Sequence, residues 1–552
     1  MKFGPVPTAD AAGAYLAHSI RLEKGALKKG RLLGAAEIER LLAAGVADVV
    51  VARLDPDDVH EDAAAERLAA ALLGGAGEGL KASAAFTGRV NLIAGQAGVL
   101  TIDRARIDRI NAVHESVTVA TLAPFEAVTE RQMAATIKII PFAAPERAVA
   151  EAERIAKDGP PPIRLHPYRP LSATLIQSTL PSVKPSVLDK TVEVTRDRLT
   201  ALGGELLNER RCAHEAAAIA AAIAEADADG ADLLLIAGAS AIVDRADALP
   251  AGIEAAGGRV LHFGMPVDPG NLILLAERRG KPALGLPGCA RSPKLNGFDW
   301  ALQRQAAGLP VTPGDIQAMG VGGLLAEIGA RPLPRAEATR RPGAASAAPT
   351  APKVAAVVLA AGQSRRMGAA NKLLEEVAGK PMVARAVEAA LASDAASVTV
   401  VTGHEAERVR AALAGYDVAF VHNPDFAQGL SASLATAARA APEDADAMIV
   451  LLGDMPGVAA AHVNRLIAAF NPLEGRSICV PTRAGKRGNP VLWDRRFLAE
   501  MTTLKGDVGA KPLIGPNEDV LVEVEMADAA ILRDVDTPEA LARLREETHS
   551  SD

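Results

Sequence analysis

The stretch Val357–Leu374, VVLAAGQSRRMGAANKLL, decides the fold expected for the C-terminal part of this chain. The apolar run Val354–Leu359 predicts a buried parallel strand. The strand ends in Ala360-Ala361-Gly362, where small side chains let the backbone approach a ligand closely. A hydroxyl and three cations follow, at Ser364, Arg365, Arg366 and Lys372. Because backbone N–H groups and fixed cations together neutralise phosphates, this pattern predicts a nucleoside triphosphate site.

The pattern differs from the Walker type, since GxxxxGK[ST] does not occur in it. It resembles the LAAGxSxRMGxxK signature of nucleotidyltransferases with a Rossmann-like fold. Its ending, Asn371–Leu374, is most similar to the molybdenum cofactor cytidylyltransferase branch. The resemblance implies catalytic roles for Arg366 and Lys372. It also implies nucleotide binding by these two residues and by five others of the same stretch: Leu359, Ala360, Ala361, Gly362 and Ser364.

Two carboxylates are candidates for holding a metal ion. The apolar strand Ala447–Leu452 leads into Gly453-Asp454-Met455-Pro456, and a carboxylate at the tip of a strand is well placed to hold a hard cation. Asp536 lies in the segment DVDTPE, which also reads as the start of a helix. Both segments resemble the metal-carboxylate segments of the same transferases, which implies Mg²⁺ at Asp454 and Asp536.

Two further loops of this part are candidates for binding the substrates. The turn GLSASL, residues 429–434, predicts a capped helix start that either offers the hydroxyl of Ser431 to the nucleotide or serves as a plain N-cap. The segment GKRGNPV, residues 485–491, resembles the family's acceptor-side loop, which implies acceptor binding by Asn489 and by Lys486, with Arg487 as an alternative to Lys486. The resemblance extends over nearly all of residues 354–546.

The activity that the resemblance implies is transfer of CMP from CTP to the terminal phosphate of molybdopterin, with release of pyrophosphate. The choice of CTP depends on Ala361 and Asn371, because guanylyltransferases of this kind more often show LAGGxxxRMGxxDK. A guanylyltransferase acting on the same acceptor stays open. So do a transferase for another phosphorylated acceptor, such as a sugar phosphate, and a non-catalytic molybdenum cofactor carrier. A molybdoenzyme of the xanthine dehydrogenase type is the implied recipient of the product.

The organisation of the chain follows from a segment without apolar periodicity. Residues 331–352, RPLPRAEATRRPGAASAAPTAP, are rich in Ala, Pro and Arg, which predicts a flexible linker. Residues 353–552 then form the nucleotidyltransferase domain. Residues 1–172 mix short helices and strands, which predicts an irregular α+β region, and two of its segments, residues 86–91 and 138–142, are candidates for lining a cleft. Its expected elements are helices at Ala35–Ala44 and Ala63–Leu73 and strands at Val46–Val51, Val117–Leu122 and Thr136–Ile140.

Residues 173–330 show alternating strand and helix patterns, which predict a parallel sheet with helices on both faces. The expected strands are Thr174–Thr179, Leu233–Ala237, Arg259–Phe263 and Lys281–Leu286. The expected helices are Ser186–Leu202, with Ser186 as N-cap, and Cys212–Ala228.

Three loops follow strand ends in this middle region, where ligands bind in open parallel sheets. They read GAS, MPVDPGN and GLPGCARSPKLN, and ordinary turn chemistry explains much of their composition. They resemble the molybdopterin-binding domain of molybdopterin adenylyltransferases and molybdenumtransferases over residues 174–309. The resemblance implies pterin binding by Gly238, Ser240, Asp244, Pro269, Gly270, Pro287 and Gly288, with Asp247 as an alternative to Asp244.

Composition excludes several other classes of protein. The 552 residues are too many for one core, so about two to four domains are expected. A formal net charge of -7 argues against non-specific binding to nucleic acid. Three cysteines without a CxxC pair favour neither disulfides nor zinc. No apolar stretch reaches the length of a transmembrane span and no signal peptide is evident, so we expect a cytoplasmic protein that acts on small molecules.

Overall fold

The computed structural model describes residues 1–23, 25–75, 79–324, 350–364 and 371–549. Arg365 and Arg366 lie outside the described residues, as does most of the expected linker, residues 331–349. The described residues form an α/β structure in three successive groups of elements, which confirms the expected fold class.

The first group is an irregular α+β arrangement. Its four main sheets have the strand orders β1-β5-β2, β10-β12-β8-β7, β11-β9-β14 and β13-β6. Helix α2 is rich in alanine, has two acids in its first turn and ends at Gly74 in the left-handed conformation, so its sequence favours a helix of this length. Its buried face packs with α4 against the second of these sheets. The strands are β1 (Lys2–Pro7), β2 (Tyr15–Leu16), β3 (Ile20–Arg21), β4 (Ala26–Leu27), β5 (Asp48–Arg53), β6 (Asp58–His60), β7 (Leu80–Ala82), β8 (Arg89–Ala94), β9 (Gly98–Ile102), β10 (Val117–Thr121), β11 (Ala127–Val128), β12 (Met133–Ile139), β13 (Ala143–Pro145) and β14 (Ile163–Pro167), and the helices are α1 (Ala35–Ala43), α2 (Glu61–Leu73), α3 (Arg104–Asn111) and α4 (Glu146–Ala156).

The second group is a six-stranded sheet in the order β16-β15-β17-β20-β19-β18 with helices on both faces. Four neighbouring strands are parallel, so the loops after β15, β16, β17 and β20 meet at one edge of the sheet. The strands are β15 (Ser172–Thr179), β16 (Glu205–Ala213), β17 (Leu233–Ala237), β18 (Arg259–Phe263), β19 (Leu274–Arg278) and β20 (Lys281–Leu286), and the helices are α5 (Pro185–Ala201), α6 (Ala216–Ala226), α7 (Ala248–Ala255), α8 (Gly297–Ala306) and α9 (Pro313–Gln317).

Three expectations for this group are wrong. The sheet is mixed rather than parallel, because β18 and β19 pair antiparallel. The helix expected at Cys212–Ala228 begins only at Ala216, since residues up to Ala213 form the edge strand β16. Ser186 is not an N-cap, because Lys184 holds that position and Pro185 takes the first helical position, where its missing N–H is no loss.

The third group is an eight-stranded sheet in the order β25-β24-β21-β26-β29-β27-β28, with β30 beside β27. All seven residues of its central strand β21 are buried, and β24 and β26 run parallel to it on either side. The strands are β21 (Val354–Ala360), β22 (Glu376–Val377), β23 (Lys380–Pro381), β24 (Ser397–Thr402), β25 (Ala419–His422), β26 (Ala447–Leu452), β27 (Ile478–Arg483), β28 (Lys486–Arg487), β29 (Val491–Asp494) and β30 (Leu521–Glu525), and the helices are α10 (Met382–Leu391), α11 (Ala406–Ala412), α12 (Leu430–Ala440), α13 (Ala460–Ala469), α14 (Leu498–Met501), α15 (Lys511–Ile514) and α16 (Pro538–His549).

The first group of elements contacts both of the others. Its Phe86 is buried in the main hydrophobic cluster of the third group, where Arg476 lies 5.4 Å from its ring centroid. On the other side, the guanidinium of Arg304 lies 3.6 Å from the ring centroid of Phe125. In the described part of the chain, no helix combines the length and the apolar character needed to cross a bilayer.

Candidate functional site

Lys372, Asp454 and Asp536 meet at the end of the central strands of the third sheet. Asp454 follows β26 by two residues, and its carbonyl oxygen accepts a hydrogen bond of 3.0 Å from the amide of Val535, which brings Asp536 alongside. Nζ of Lys372 lies 2.5 Å from Oδ2 of Asp454 and 2.6 Å from Oδ1 of Asp536. The structure thus brings together one predicted catalytic residue and both predicted metal ligands.

The charge state of Lys372 follows from this pairing. The residue is buried, and burial opposes its charged form. The attraction and hydrogen bonds of Asp454 and Asp536 outweigh that effect and raise the pKa of Lys372 above the ordinary lysine value. Lys372 therefore stays protonated and balances one of the two negative charges beside it.

The two carboxylates fit a magnesium ion better than a metal that needs a full set of protein ligands. Oδ1 of Asp454 is buried and has no hydrogen-bond partner among the residues that the structure describes, so this oxygen is a candidate for a further ligand. The described residues contain no group of three or more His, Cys, Asp or Glu side chains arranged for a metal. Magnesium usually takes one or two carboxylates and completes its shell with water and phosphate oxygens. The pair therefore suits Mg²⁺ bound together with a polyphosphate.

The loop after β21 is built for close approach to a ligand. Leu359 and Ala360 are buried at the end of the strand, and Ala361 is buried directly after it. Gly362 is exposed, and a Cβ placed on it would have no atom of the described residues within 4 Å, so this side of the loop is open in the described part of the structure. Ser364 has a positive φ of 51°, and its Oγ accepts a hydrogen bond of 3.1 Å from the amide of Lys372. The predicted nucleotide contact of Ser364 thus coexists with a role in positioning Lys372.

Ser431 lies at the start of α12, where the first two backbone amides already have hydrogen-bond acceptors. The amide of Leu430 donates 2.9 Å to Oδ1 of Asp507, and the amide of Ser431 donates 3.2 Å to the carbonyl of Gly506. Oγ of Ser431 is buried and has no hydrogen-bond partner among the described residues. Sequence reasoning missed Asp507, because it lies 77 residues from the helix that it caps.

The predicted acceptor residues lie on the neighbouring strands. Lys486 is exposed in the short strand β28, and the next residue, Arg487, is engaged by Glu523 at 2.8 Å. The amide of Asn489 donates 3.0 Å to the carbonyl of Ile531, five residues before Asp536. Asn489 is therefore tied to the segment that carries a predicted metal ligand, whereas Lys486 lies on the exposed rim.

The three predicted loops of the middle group line one cleft of about 330 Å³. Arg291, in the third loop, donates 2.8 Å from Nη2 to the carbonyl of Gly238 in the first loop. Six of the seven predicted pterin residues line the cleft: Gly238, Ser240, Pro269, Gly270, Pro287 and Gly288. Asp244 does not line it, because its carboxylate turns back to the amide of Ala246 at 2.8 Å. Asp247 likewise accepts from the amides of Val243 and Asp244.

A histidine that sequence reasoning missed contacts Ser240, which lines this cleft. His214 follows β16, and its Nε2 lies 2.8 Å from Oγ of Ser240, while its Nδ1 lies 2.8 Å from Oγ of Ser178. The signal was weak, because the three residues come from three different strand ends and share no motif.

Comparisons with known proteins identify the family to which the third group of elements is similar. A family model described as a MobA-like NTP transferase domain matches residues 356–520, and one described as a domain of unknown function, DUF8806, matches residues 5–53. Nicotine blue oxidoreductase of Paenarthrobacter nicotinovorans is 31% identical over 200 residues, which cover 35% of this chain and 97% of that protein. Purine catabolism protein PucB of Bacillus subtilis (strain 168) is 30% identical over 208 residues, again 35% of this chain and 97% of that protein.

A solved nucleotidyl transferase from Methanothermobacter thermautotroptrophicus is also similar, with 28% sequence identity and a TM-score of 0.33, over 36% of this chain and 99% of that chain. These matches each span about a third of the chain.

Proposed function

Because the C-terminal domain of this chain belongs to the MobA-like NTP transferase family and makes it a nucleotidyltransferase, we propose that it transfers CMP from CTP to the terminal phosphate of molybdopterin. The observation that carries the proposal is the contact of Lys372 with both Asp454 and Asp536 beside the open loop at Gly362. A cation and two carboxylates at one strand end suit a triphosphate and its counterion.

The reaction is a substitution at the α-phosphorus of CTP. A bond forms from an oxygen of the acceptor phosphate to that phosphorus, and the bond to the β-phosphate breaks, so pyrophosphate leaves. The attacking oxygen is already anionic, so no general base is needed. Catalysis then consists of positioning and charge stabilisation.

The residues of the site divide this work. Asp454 and Asp536 would hold Mg²⁺, which when bound neutralises charge on the triphosphate. Lys372 and Arg366 stabilise the negative charge that develops on the α-phosphate and on departing pyrophosphate. Ser364 keeps Lys372 in place through its backbone amide. The loop Leu359–Gly362 and Ser431 hold the nucleotide, and Lys486 and Asn489 meet the acceptor.

The choice of CTP over GTP is supported by Ala361 and Asn371. Asn371 caps the short helical turn that carries Lys372, because its Oδ1 accepts a hydrogen bond of 3.1 Å from the amide of Leu373. The residue that precedes the lysine therefore affects how the lysine is presented. Guanylyl transfer to the same acceptor remains the main alternative, because one hydrogen-bond difference reverses base preference.

The proposal gives the middle domain, residues 173–330, the role of binding the pterin. Support comes from the cleft that its three loops share. Because both regions belong to one polypeptide, the effective concentration of the acceptor at the transferase would then reach about the millimolar range. We further propose that the protein works in the cytoplasm and passes its product to a molybdoenzyme of the xanthine dehydrogenase type. The name of the Bacillus relative, a purine catabolism protein, is compatible with such a recipient.

The test is pyrophosphate release by the purified chain with MgCl₂, molybdenum-loaded molybdopterin and, in turn, CTP, GTP or ATP. We expect release with CTP and a product that contains cytidine monophosphate, identified by mass spectrometry. Omission of the pterin should abolish release. A sugar phosphate in its place tests the alternative acceptor class. Pyrophosphate release with the sugar phosphate would contradict the proposal that the pterin is the acceptor.

The other outcomes also decide between the alternatives. Release with GTP alone would assign a guanylyltransferase. Tight pterin binding without release for any nucleotide would support a carrier and overturn the proposed activity. Nicotine blue turnover is measured alongside, because one relative carries that name, and we expect none.

A further inference from the structure

A chain of hydrogen bonds runs across three strand ends of the middle sheet into the cleft. The amide of Ala239 donates 3.1 Å to Oγ of Ser178, Ser178 bonds to Nδ1 of His214 at 2.8 Å, and Nε2 of His214 bonds to Oγ of Ser240 at 2.8 Å. The order of strands β16-β15-β17 places the three side chains next to one another. Ser240 is the last member of this row of hydrogen bonds, and it lines the cleft.

The direction of the protons along this chain follows from the burial of Ser178. Ser178 has no solvent-exposed surface, and its oxygen already accepts from the amide of Ala239. Within the described part of the chain, Nδ1 of His214 is the acceptor that its hydroxyl proton reaches. A neutral imidazole that accepts at Nδ1 carries its proton on Nε2. His214 therefore donates to Ser240.

The opposite direction is unfavourable. If Nδ1 of His214 carried the proton and donated to Ser178, the hydroxyl proton of Ser178 would be buried without an acceptor among the described residues. A buried donor whose hydrogen bond is not made is destabilising. The favoured direction leaves the hydroxyl proton of Ser240 free to point away from His214.

We propose that Ser178 and His214 are positioning residues that make Ser240 a directed hydrogen-bond donor for an oxyanion in the middle cleft. Each donation along the chain polarises the next hydroxyl, so the last donor is strengthened. Arg291 lines the same cleft and contributes positive charge, while Asp268 contributes one negative charge on the opposite loop. The inference rests on the proposed binding of a phosphorylated ligand there, and not on CMP transfer.

The same proton order excludes a second reading of the serine–histidine pair. A nucleophilic serine needs a histidine nitrogen that accepts its proton. Nε2 of His214 is a donor in this arrangement, so Ser240 is not activated for attack. Ser240 accordingly forms no covalent intermediate and acts in binding alone.

The first experiment reads the tautomer directly. Nitrogen-15 NMR of the full chain with labelled histidine distinguishes the two neutral tautomers, and the signal of His214 is identified by its loss in His214→Gln. We expect the tautomer with the proton on Nε2 in the wild type. In Ser178→Ala the imidazole loses its donor, so the signal should shift towards the other tautomer. A wild-type signal with the proton on Nδ1 overturns the proposal.

The second experiment measures binding by calorimetry, with inorganic phosphate and molybdate as separate probes. Ser240→Ala should weaken binding by about tenfold or more, as expected for the loss of a hydrogen bond to a charged group. Ser178→Ala should weaken it several-fold although Ser178 is buried behind the histidine. His214→Gln, whose amide can donate in place of Nε2, should retain more affinity than His214→Ala.

Controls separate the middle cleft from the transferase site. Lys372→Ala should leave the affinity difference between wild type and Ser240→Ala unchanged, because it removes a cation from the other site only. Tighter binding of phosphate than of molybdate would indicate that the cleft binds a phosphorylated ligand. Tighter binding of molybdate would indicate that the cleft binds the free metal oxyanion. Equal affinity of wild type and Ser178→Ala, or no measurable binding of either anion, would contradict the proposal.

Discussion

Lys372 is the residue on which the transferase site depends. Its ammonium group separates two carboxylates that would otherwise repel each other. We expect Lys372→Ala to lower turnover by at least about 100-fold, as for the loss of a donor that stabilises transition-state charge. Unfolding free energy should fall by about 3 kcal/mol at most, because the carboxylates keep partial access to water. MgCl₂ should restore part of that loss, since a divalent cation replaces the missing charge.

Lys353 provides a matched control for this prediction. It forms an exposed ion pair of 2.7 Å with Asp444 on the same domain. Lys353→Ala should change stability by less than about 1 kcal/mol and leave turnover intact. Steady-state pyrophosphate release and urea unfolding measure both effects. Normal turnover in Lys372→Ala would remove this lysine from the mechanism.

Glu61, at the start of α2, makes the free energy of unfolding depend on pH. Burial raises its pKa from 4.5 to about 7, although Lys138 lies 3.6 Å away and opposes the shift. The folded state therefore holds this proton more tightly than the unfolded state. The resulting stability is complete below about pH 4.5 and is lost as the pH rises through about 7.

Glu61→Gln removes that dependence because the amide stays neutral. The unfolding free energy of the variant, relative to that of the wild type, should therefore be higher at pH 8 than at pH 5. The difference between the two pH values should be no more than about 3 kcal/mol. Urea unfolding at both pH values measures this difference. Glu66→Gln, at an exposed position of the same helix, should change little at either pH. An equal effect of Glu61→Gln at both pH values would contradict the raised pKa.

The site residues differ in how far the sequence reveals them. Lys372, Asp454 and Asp536 each lie in a local motif, so the sequence alone makes each of them a candidate, and in the structure Lys372 contacts both carboxylates. Ser178 and His214 lie in no motif, and their relation to Ser240 depends on the lateral order of three strands. Strand order is a long-range property that a local pattern does not encode.

At the scale of elements, the start of α12 links stability to nucleotide binding. Asp507 accepts the first amide of this helix and lies 3.0 Å from where a Cβ on Gly429 would be, so the loop and the helix fix each other. Asp507→Ala should cost about 1 kcal/mol of unfolding free energy, as for the loss of a helix cap. It should also raise KM for the nucleoside triphosphate, because Ser431 is no longer held in place.

Asp507→Asn is the comparison for this prediction, since its side-chain oxygen still accepts from Leu430. Urea unfolding and initial rates at varied CTP concentration measure the two effects. A variant that loses stability but keeps its KM would show that the start of α12 does not touch the nucleotide.

Elements with strong apolar runs are predicted well, and elements decided by pairing are not. Strands β17, β18, β20 and β26 have the expected bounds. The edge strand β16 is rich in Glu, Leu and Arg, which favour helices, and pairing with β15 overrides that preference. The hairpin β19–β20 turns through Arg279-Gly280, both with positive φ, without the Asn-Gly or Asp-Gly pair that usually marks such a turn.

For the whole molecule, a residue of the N-terminal segment contacts the part of the transferase that carries the predicted acceptor residues. Arg31 lies 2.8 Å from Glu37 in its own domain and 3.3 Å from Glu525 on β30. Glu525 also accepts from Thr482 and from the amide of Ala484, in the turn before Lys486. Arg31 thus connects the first group of elements to the hairpin that carries a predicted acceptor residue.

We expect Arg31→Ala to raise KM for the acceptor by several-fold while KM for CTP stays near the wild-type value. Arg154→Ala is the control, because Arg154 forms an exposed ion pair with Glu151 within the first domain. Initial rates at varied concentrations of each substrate make the comparison. Equal changes in both KM values would indicate a general disturbance of the transferase instead.

The attachment of the residues just before β21 has a consequence for how the chain can be cut. Thr350 pairs with Gln132, and the guanidinium of Arg131 donates 2.7 Å to the carbonyl of Pro352, so the segment that leads into β21 is attached to the first group of elements. Phe86 and Arg476 add a second attachment far along the chain. A protease that severs the backbone between residues 325 and 349 should therefore yield two polypeptides that still migrate together on a sizing column. Their separation would need denaturant, and they would behave as a heterodimer made from one gene product.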